Sequence, residues 1–280
     1  MTMLRCDKPD PMAVRLSRIP GIFRAWLLLA AVGLGLCGPA AWGADEPVRV
    51  AVAANFKQTM DRLAADFSKR TGELAPIVSS GASGLLYSQI VQGAPFDVFF
   101  SADQDRPVRL EQDGLVVPGS RYTYAVGKLA IWRPGRTWSG TLEQALKAPD
   151  VKVVSIANPA VAPYGVAAQQ VLEKLGLWAK PPFRVVQGES LGQAFQFVAT
   201  GNAQLGFIAL SQVKEAMSAA EGTIANEVLE IDSRLYAPLA QDAVRLKRSA
   251  GKAAVGRFLD FVRSPEGRAM IAAAGYAQDP

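Results

Sequence analysis

The sequence predicts an α/β protein of two lobes, each lobe a doubly wound sheet, and three observations carry that reading. Apolar strands alternate repeatedly with amphipathic helices, the order expected of such sheets. Half of the 280 residues are hydrophobic, enough for a well-packed core and too many for a disordered chain. Two long strand-like segments, Arg121 to Arg133 and Glu227 to Arg248, interrupt the alternation. They read as crossings, by which the chain leaves the first lobe, builds the second and returns. The expected boundaries are 44–125 plus 237–280 for lobe one and 126–236 for lobe two. No internal repeat or low-complexity stretch competes with this division.

Residues 1–43 read as a signal peptide rather than as part of the fold. Arg15, Arg18 and Arg24 precede an apolar run from Ala25 to Gly38, and Ala41-Trp42-Gly43 offers small residues for cleavage after Gly43. The run is too short to cross about 30 Å of hydrocarbon as a helix. No twin arginine precedes it, so the general secretory route is expected. Cys37 follows Leu36, too large for a lipoprotein leader, and Met12 is an alternative start. Gly33-Leu34-Gly35-Leu36-Cys37-Gly38 has dinucleotide-fingerprint spacing, but no βαβ unit surrounds it and it reads as chance. Cleavage removes both cysteines, Cys6 and Cys37, and five basic residues against two acidic ones, so the net charge falls from +5 to +2. The alkaline balance is then partly a leader property and gives little support to nucleic-acid binding.

In the mature chain, Val48 to Ala53 reads as a buried strand. Phe56, Met60, Leu63, Ala64 and Phe67 follow at helical spacing, with a stop near Thr71-Gly72. Leu74 to Ser79 is the next expected strand, Leu85 to Val91 the next helix and Asp97 to Phe100 the third strand. Val151 to Ala157 opens the second lobe's series, and a helix through Ala168, Val171, Leu172 and Leu175 follows it. Phe183 to Val186 then leads into Leu191, Ala194, Phe195, Val198 and Ala199, a clean helical face stopped by Gly201. Ser264-Pro265 reads as an N-cap and first helical position for the last helix. The C-terminal helices from Ala253 to Ala274 are assigned to the first lobe.

Four loops lie where a strand passes into a helix: Val52 to Phe56, Ser79 to Gly84, Asn158 to Gly165 and Gln187 to Gly192. Ligands of open α/β sheets bind beyond the carboxyl ends of strands, so these loops mark a cleft between the lobes. Helix starts present unpaired N–H groups and the positive end of a dipole. At roughly +0.5 each, four converging starts give about +2, which suits a small dianion without Arg or Lys. Glu189 is the one charge in the four loops and is expected to point away. Asp97 and Asp103 read as capping or bracing groups rather than metal ligands, and Arg245-Leu246-Lys247-Arg248 as a solvated surface. The chain has no histidine, the mature part has no cysteine, and neither a P-loop nor a G-x-S-x-G motif is present. With no evident nucleophile and base, binding is expected rather than catalysis, with no cofactor and no directly ligated metal.

The same loops carry a resemblance. Ala53-Ala54-Asn55-Phe56, Ser79 to Gly84, Gly93 to Asp103, Pro159 with Ala162-Pro163-Tyr164-Gly165, and Leu205-Gly206-Phe207 resemble the molybdate-binding proteins of ABC transporters, the ModA family, over essentially the whole mature chain. The resemblance implies a type II periplasmic-binding-protein fold with the ligand in the interlobe cleft. It implies capture of molybdate or tungstate in the periplasm for a membrane permease with its cytoplasmic ATPase, by a monomer that binds no nucleic acid. The implied ligand contacts are the side-chain donors of Asn55 and Ser83, the phenolic O–H of Tyr164 and the backbone N–H of Leu191. A common branch of the family has alanine in place of Tyr164 and tyrosine in place of Ala209. Another has threonine in place of Ala54. Sulfate or phosphate is the alternative ligand. An organic acid is disfavoured, because no loop supplies an arginine for a carboxylate.

Overall fold

Two five-stranded sheets organise the chain, in a computed structural model that describes residues 46–137, 140–219 and 228–277. The leader expected at residues 1–43 lies outside the described residues. The first sheet contains β1 (Arg49–Ala53), β2 (Ile77–Gly81), β3 (Val98–Phe100), β4 (Tyr122–Gly127) and, from far along the chain, β10 (Leu239–Arg245), in the order β2-β1-β3-β10-β4. The second contains β5 (Leu129–Trp132), β6 (Val153–Ala157), β7 (Arg184–Gly188), β8 (Leu205–Ala209) and β9 (Val228–Glu230), in the order β7-β6-β8-β5-β9. In each sheet a central strand pairs in parallel on both sides: β1 with β2 and β3, β6 with β7 and β8. The strands that cross between sheets pair antiparallel.

The helices are α1 (Lys57–Thr71), α2 (Ser83–Val91), α3 (Asp105–Gln112), α4 (Leu142–Leu146), α5 (Pro163–Lys174), α6 (Leu191–Ala199), α7 (Leu210–Ala219), α8 (Ala253–Arg263) and α9 (Pro265–Ala273). On α1, Met60, Leu63, Ala64 and Phe67 are buried, and Gly72 ends the helix at φ 73°, a left-handed turn that glycine adopts without a Cβ clash. Ser264 caps α9, its hydroxyl accepting from the Gly267 N–H at 3.2 Å with Pro265 in the first turn.

The strand expected from Leu74 begins instead at Ile77. Pro76 offers no N–H to a ladder, and the first inter-strand bond is from the Ile77 N–H to the Val48 carbonyl at 2.8 Å. The long segment Arg121 to Arg133 is two strands, β4 and β5, separated by Lys128 alone, so one extended path serves both sheets. Within Glu227 to Arg248, β9 and β10 are separated by a stretch holding a 3-10 turn at Ser233–Leu235, which the Asp232 side chain caps. Helices α3, α4 and α7 had no counterpart in the sequence reading. Pro107 interrupts the pattern of α3, and α4 is one turn held by a reciprocal Thr141–Gln144 cap.

Each sheet has its own core. Val50, Phe56, Phe67, Phe100 and Phe258 pack in the first, and Ile131, Ile156, Leu172 and Phe207 in the second. The second core reaches Ala53, Ala82 and Ala102 of the first sheet's loops, so apolar packing is continuous beneath the cleft.

Candidate functional site

All four strand-to-helix loops reach a single pocket. Its lining includes Asn55, Ser83, Tyr164 and Leu191, together with Ala54, Ala102 and neighbouring small residues, and every lining residue is uncharged. The cavity is small, a place for one compact group rather than an extended ligand. The loops leave the carboxyl ends of β1, β2 and β6, and of β7 at Gly188. They run into the 3-10 turn Ala54–Phe56 ahead of α1, and into α2, α5 and α6, so first-turn N–H groups and dipole ends from both lobes surround the pocket.

Ser83 is buried, and its hydroxyl oxygen accepts from the Ala102 N–H at 2.9 Å. That bond occupies a lone pair and leaves the hydroxyl proton available to an acceptor. Leu191 is the first residue of α6. The Ser190 cap takes the Gln193 N–H at 3.3 Å, so it does not consume the N–H of Leu191 itself. Glu189 is exposed and stands outside the lining.

Asn55 is buried at 2 % exposure, and both amide hydrogens are engaged. Nδ2 donates to Gln241 Oε1 at 2.9 Å and to the Tyr276 hydroxyl at 3.1 Å, and Tyr276 in turn donates to the Asn55 carbonyl at 2.7 Å. The side-chain donor expected of Asn55 is therefore spent inside this network rather than offered to the pocket. That side chain holds the loop against Phe56, whose ring meets Tyr124 and Tyr276 edge-on at 4.7 and 5.1 Å.

Tyr164 is fully buried and belongs to the second core. Its oxygen accepts from Gln241 Nε2 at 3.2 Å. Burial pushes the phenol well above its ordinary value and the neighbouring Tyr276 adds to this, while the Gln241 and Asn55 amides pull the other way. Tyr164 is therefore a neutral hydroxyl throughout the physiological range.

Gln241, Tyr124, Tyr276 and Gly127 are the residues that sequence reasoning missed here. Gln241 is buried within β10 beside a β-bulge at Gln241/Asp242, and a bulge leaves no short-range pattern in the sequence. A Cβ on Gly127 would overlap the Tyr164 hydroxyl and lie 2.5 Å from Gln241 Nε2. The acidic neighbours are braced elsewhere. Asp97 accepts from the Arg49 N–H at 3.0 Å and faces Lys252 at 3.3 Å. Asp103 accepts from Ser101 and from the backbone and guanidinium of Arg106. Arg106 comes close to Gly84 and is neutralised by that pairing.

The family described as bacterial extracellular solute-binding protein matches residues 48–277. The chain is 45 % identical to the molybdate-binding protein ModA of Azotobacter vinelandii over 249 residues, covering 89 % of this chain and 96 % of that protein. It is 41 % identical to ModA of Rhodobacter capsulatus over 266 residues, covering 94 % and 100 %. Among solved structures, the periplasmic molybdate-binding protein of Azotobacter vinelandii superimposes with a TM-score of 0.76 at 40 % identity, covering 83 % of this chain and all of that one. With two sheets, an uncharged interlobe pocket and these relatives, the chain belongs to the ModA family of bacterial extracellular solute-binding proteins.

Proposed function

We propose that the protein captures molybdate or tungstate in the periplasm and delivers it to an ABC importer made of a membrane permease and a cytoplasmic ATPase. One observation carries the reading: the loops of both lobes meet in a pocket with no charged lining residue, edged by helix N-termini. Such a pocket stabilises a tetrahedral dianion through neutral donors and dipoles. The donors are the Ser83 and Tyr164 hydroxyls and the backbone N–H groups of Asn55 and Leu191, with the Asn55 amide as a brace. The protein acts without catalysis or cofactor, as a monomer, after loss of residues 1–43. Lobe one comprises 44–125 with 237–280 and lobe two 126–236. The relatives named as molybdate-binding proteins support the choice of ligand.

Calorimetric titration with molybdate, tungstate, sulfate and phosphate tests this. Molybdate and tungstate bind tightly, and sulfate far more weakly because a smaller anion leaves hydrogen bonds stretched. Comparable affinity for sulfate would overturn the assignment of ligand in favour of a general oxyanion binder.

A further inference from the structure

We infer that Gln241 is a positioning residue that fixes Tyr164 as a hydrogen-bond donor toward the pocket. The inference rests on the site reading above and adds to it a residue outside the pocket lining.

Its starting point is a backbone carbonyl, which can only accept. The Asn55 carbonyl takes the Tyr276 proton at 2.7 Å. With that proton spent, the Tyr276 oxygen only accepts, here from Ser211 Oγ at 2.9 Å and from the Asn55 amide at 3.1 Å. The amide of Asn55 must therefore point its nitrogen this way, and the other Nδ2 hydrogen reaches Gln241 Oε1 at 2.9 Å. The Tyr124 hydroxyl approaches the same oxygen at 2.9 Å. That phenol also reaches the Ser101 carbonyl at 3.0 Å, so its one proton is shared, and it is the Asn55 donor on Oε1 that leaves Gln241 one orientation, with Nε2 toward Tyr164 at 3.2 Å. An amide N–H cannot accept, so the phenol oxygen accepts and the single Tyr164 proton is left to the pocket. A reversed Gln241 would take that proton and present lone pairs to the anion.

The arrangement is buried throughout. Asn55 and Tyr164 are each 2 % exposed and Gln241 is wholly buried, so water does not reorient the network. It also spans both lobes, since Tyr164 and Ser211 belong to α5 and α7 while Gln241 belongs to β10. Gly127 leaves the space in which the amide and the phenol meet.

The test is a double-mutant cycle with molybdate affinity read by calorimetry in wild type, Tyr164→Phe, Gln241→Met and the double variant. Gln241→Met should weaken binding about tenfold, and the double variant should bind no more weakly than Tyr164→Phe alone, because Gln241 acts through the phenol. Multiplying losses, or wild-type affinity in Gln241→Met, overturns the inference while the site reading stands. Wild-type affinity in Tyr164→Phe instead brings down the site reading, and this inference with it. Should Gln241→Met fail to fold, Gln241→Glu replaces it. Its carboxylate keeps the Asn55 and Tyr124 bonds but takes the Tyr164 proton, so molybdate must bind more weakly than in Tyr164→Phe. Binding as strong as in Tyr164→Phe or stronger overturns the inference.

Discussion

Glu215 of α7 accepts a hydrogen bond from the Thr59 hydroxyl of α1 at 2.7 Å, joining a helix of the second lobe to one of the first. Arg62, one turn further along α1, adds a charged contact to the same carboxylate oxygen at 2.6 Å. Burial raises the carboxyl above its ordinary value of 4.5, and the Thr59 and Arg62 contacts offset part of that rise. A raised folded-state value means the group's contribution is full below about pH 4.5 and declines as pH rises through the folded value. Denaturant unfolding across pH 4 to 8 should show the stability of wild type relative to Glu215→Gln falling with rising pH. A difference that is flat in pH would place the raised carboxyl elsewhere.

Tyr164→Phe and Ser83→Ala each remove one hydrogen bond to a charged group. At about 1.5–3 kcal/mol apiece, molybdate affinity should fall roughly ten- to 150-fold. Each change also strands a buried donor, Gln241 Nε2 or the Ala102 N–H, so ligand-free melting temperatures should fall by a few degrees, with a smaller rise on adding molybdate. Thermal melts with and without molybdate read both quantities.

Affinity for molybdate should stay nearly constant from about pH 6 to 9. The chain has no histidine, the lining has no titrating charge, and burial raises the Tyr164 phenol further above that range. A tenfold change in the dissociation constant across that interval would reveal a titrating group at the anion.

Gly127→Ala should be costly despite adding one methyl group. The new Cβ displaces Tyr164 and Gln241 together, so about 1–3 kcal/mol of stability should go with most of the affinity. Unchanged calorimetric titrations in this variant would show that the junction tolerates rearrangement.

Intact mass of the exported protein should correspond to a chain starting near Ala44 and containing no cysteine. Retention of the first forty residues would refute the leader.

Much of this was legible because it is local. The buried β1, the α1 stripe of Met60, Leu63 and Phe67, and the Ser264-Pro265 start of α9 each follow from periodicity or capping within a few residues. The loops carrying Asn55, Ser83, Tyr164 and Leu191 stood out because turns with a single charge, Glu189, among them led into helices, and the structure brings all four residues to one pocket. What the sequence did not announce depends on distance along the chain. Gln241 meets Asn55 across 186 residues and Tyr164 across 77, and an isolated glutamine in a strand carries no local sign of such partners. The split of Arg121 to Arg133 was hidden for a related reason. Lys128 continues the extended path, and only the choice of neighbouring strands shows where one sheet ends.

That single-residue passage at Lys128, with the second return between β9 and β10, ties the lobes by two covalent strands side by side. Two tethers resist twisting and sliding, and leave a swing about the line through them as the easy motion. In a swing, each atom's displacement grows with its distance from that line. Gly127 adjoins the tether and abuts both the Tyr164 hydroxyl and Gln241, so this pair sits near the pivot and parts least as the lobes open. An anion taken up at the proposed site would then meet the phenol already aimed, with the loops farther from the pivot closing on it afterwards.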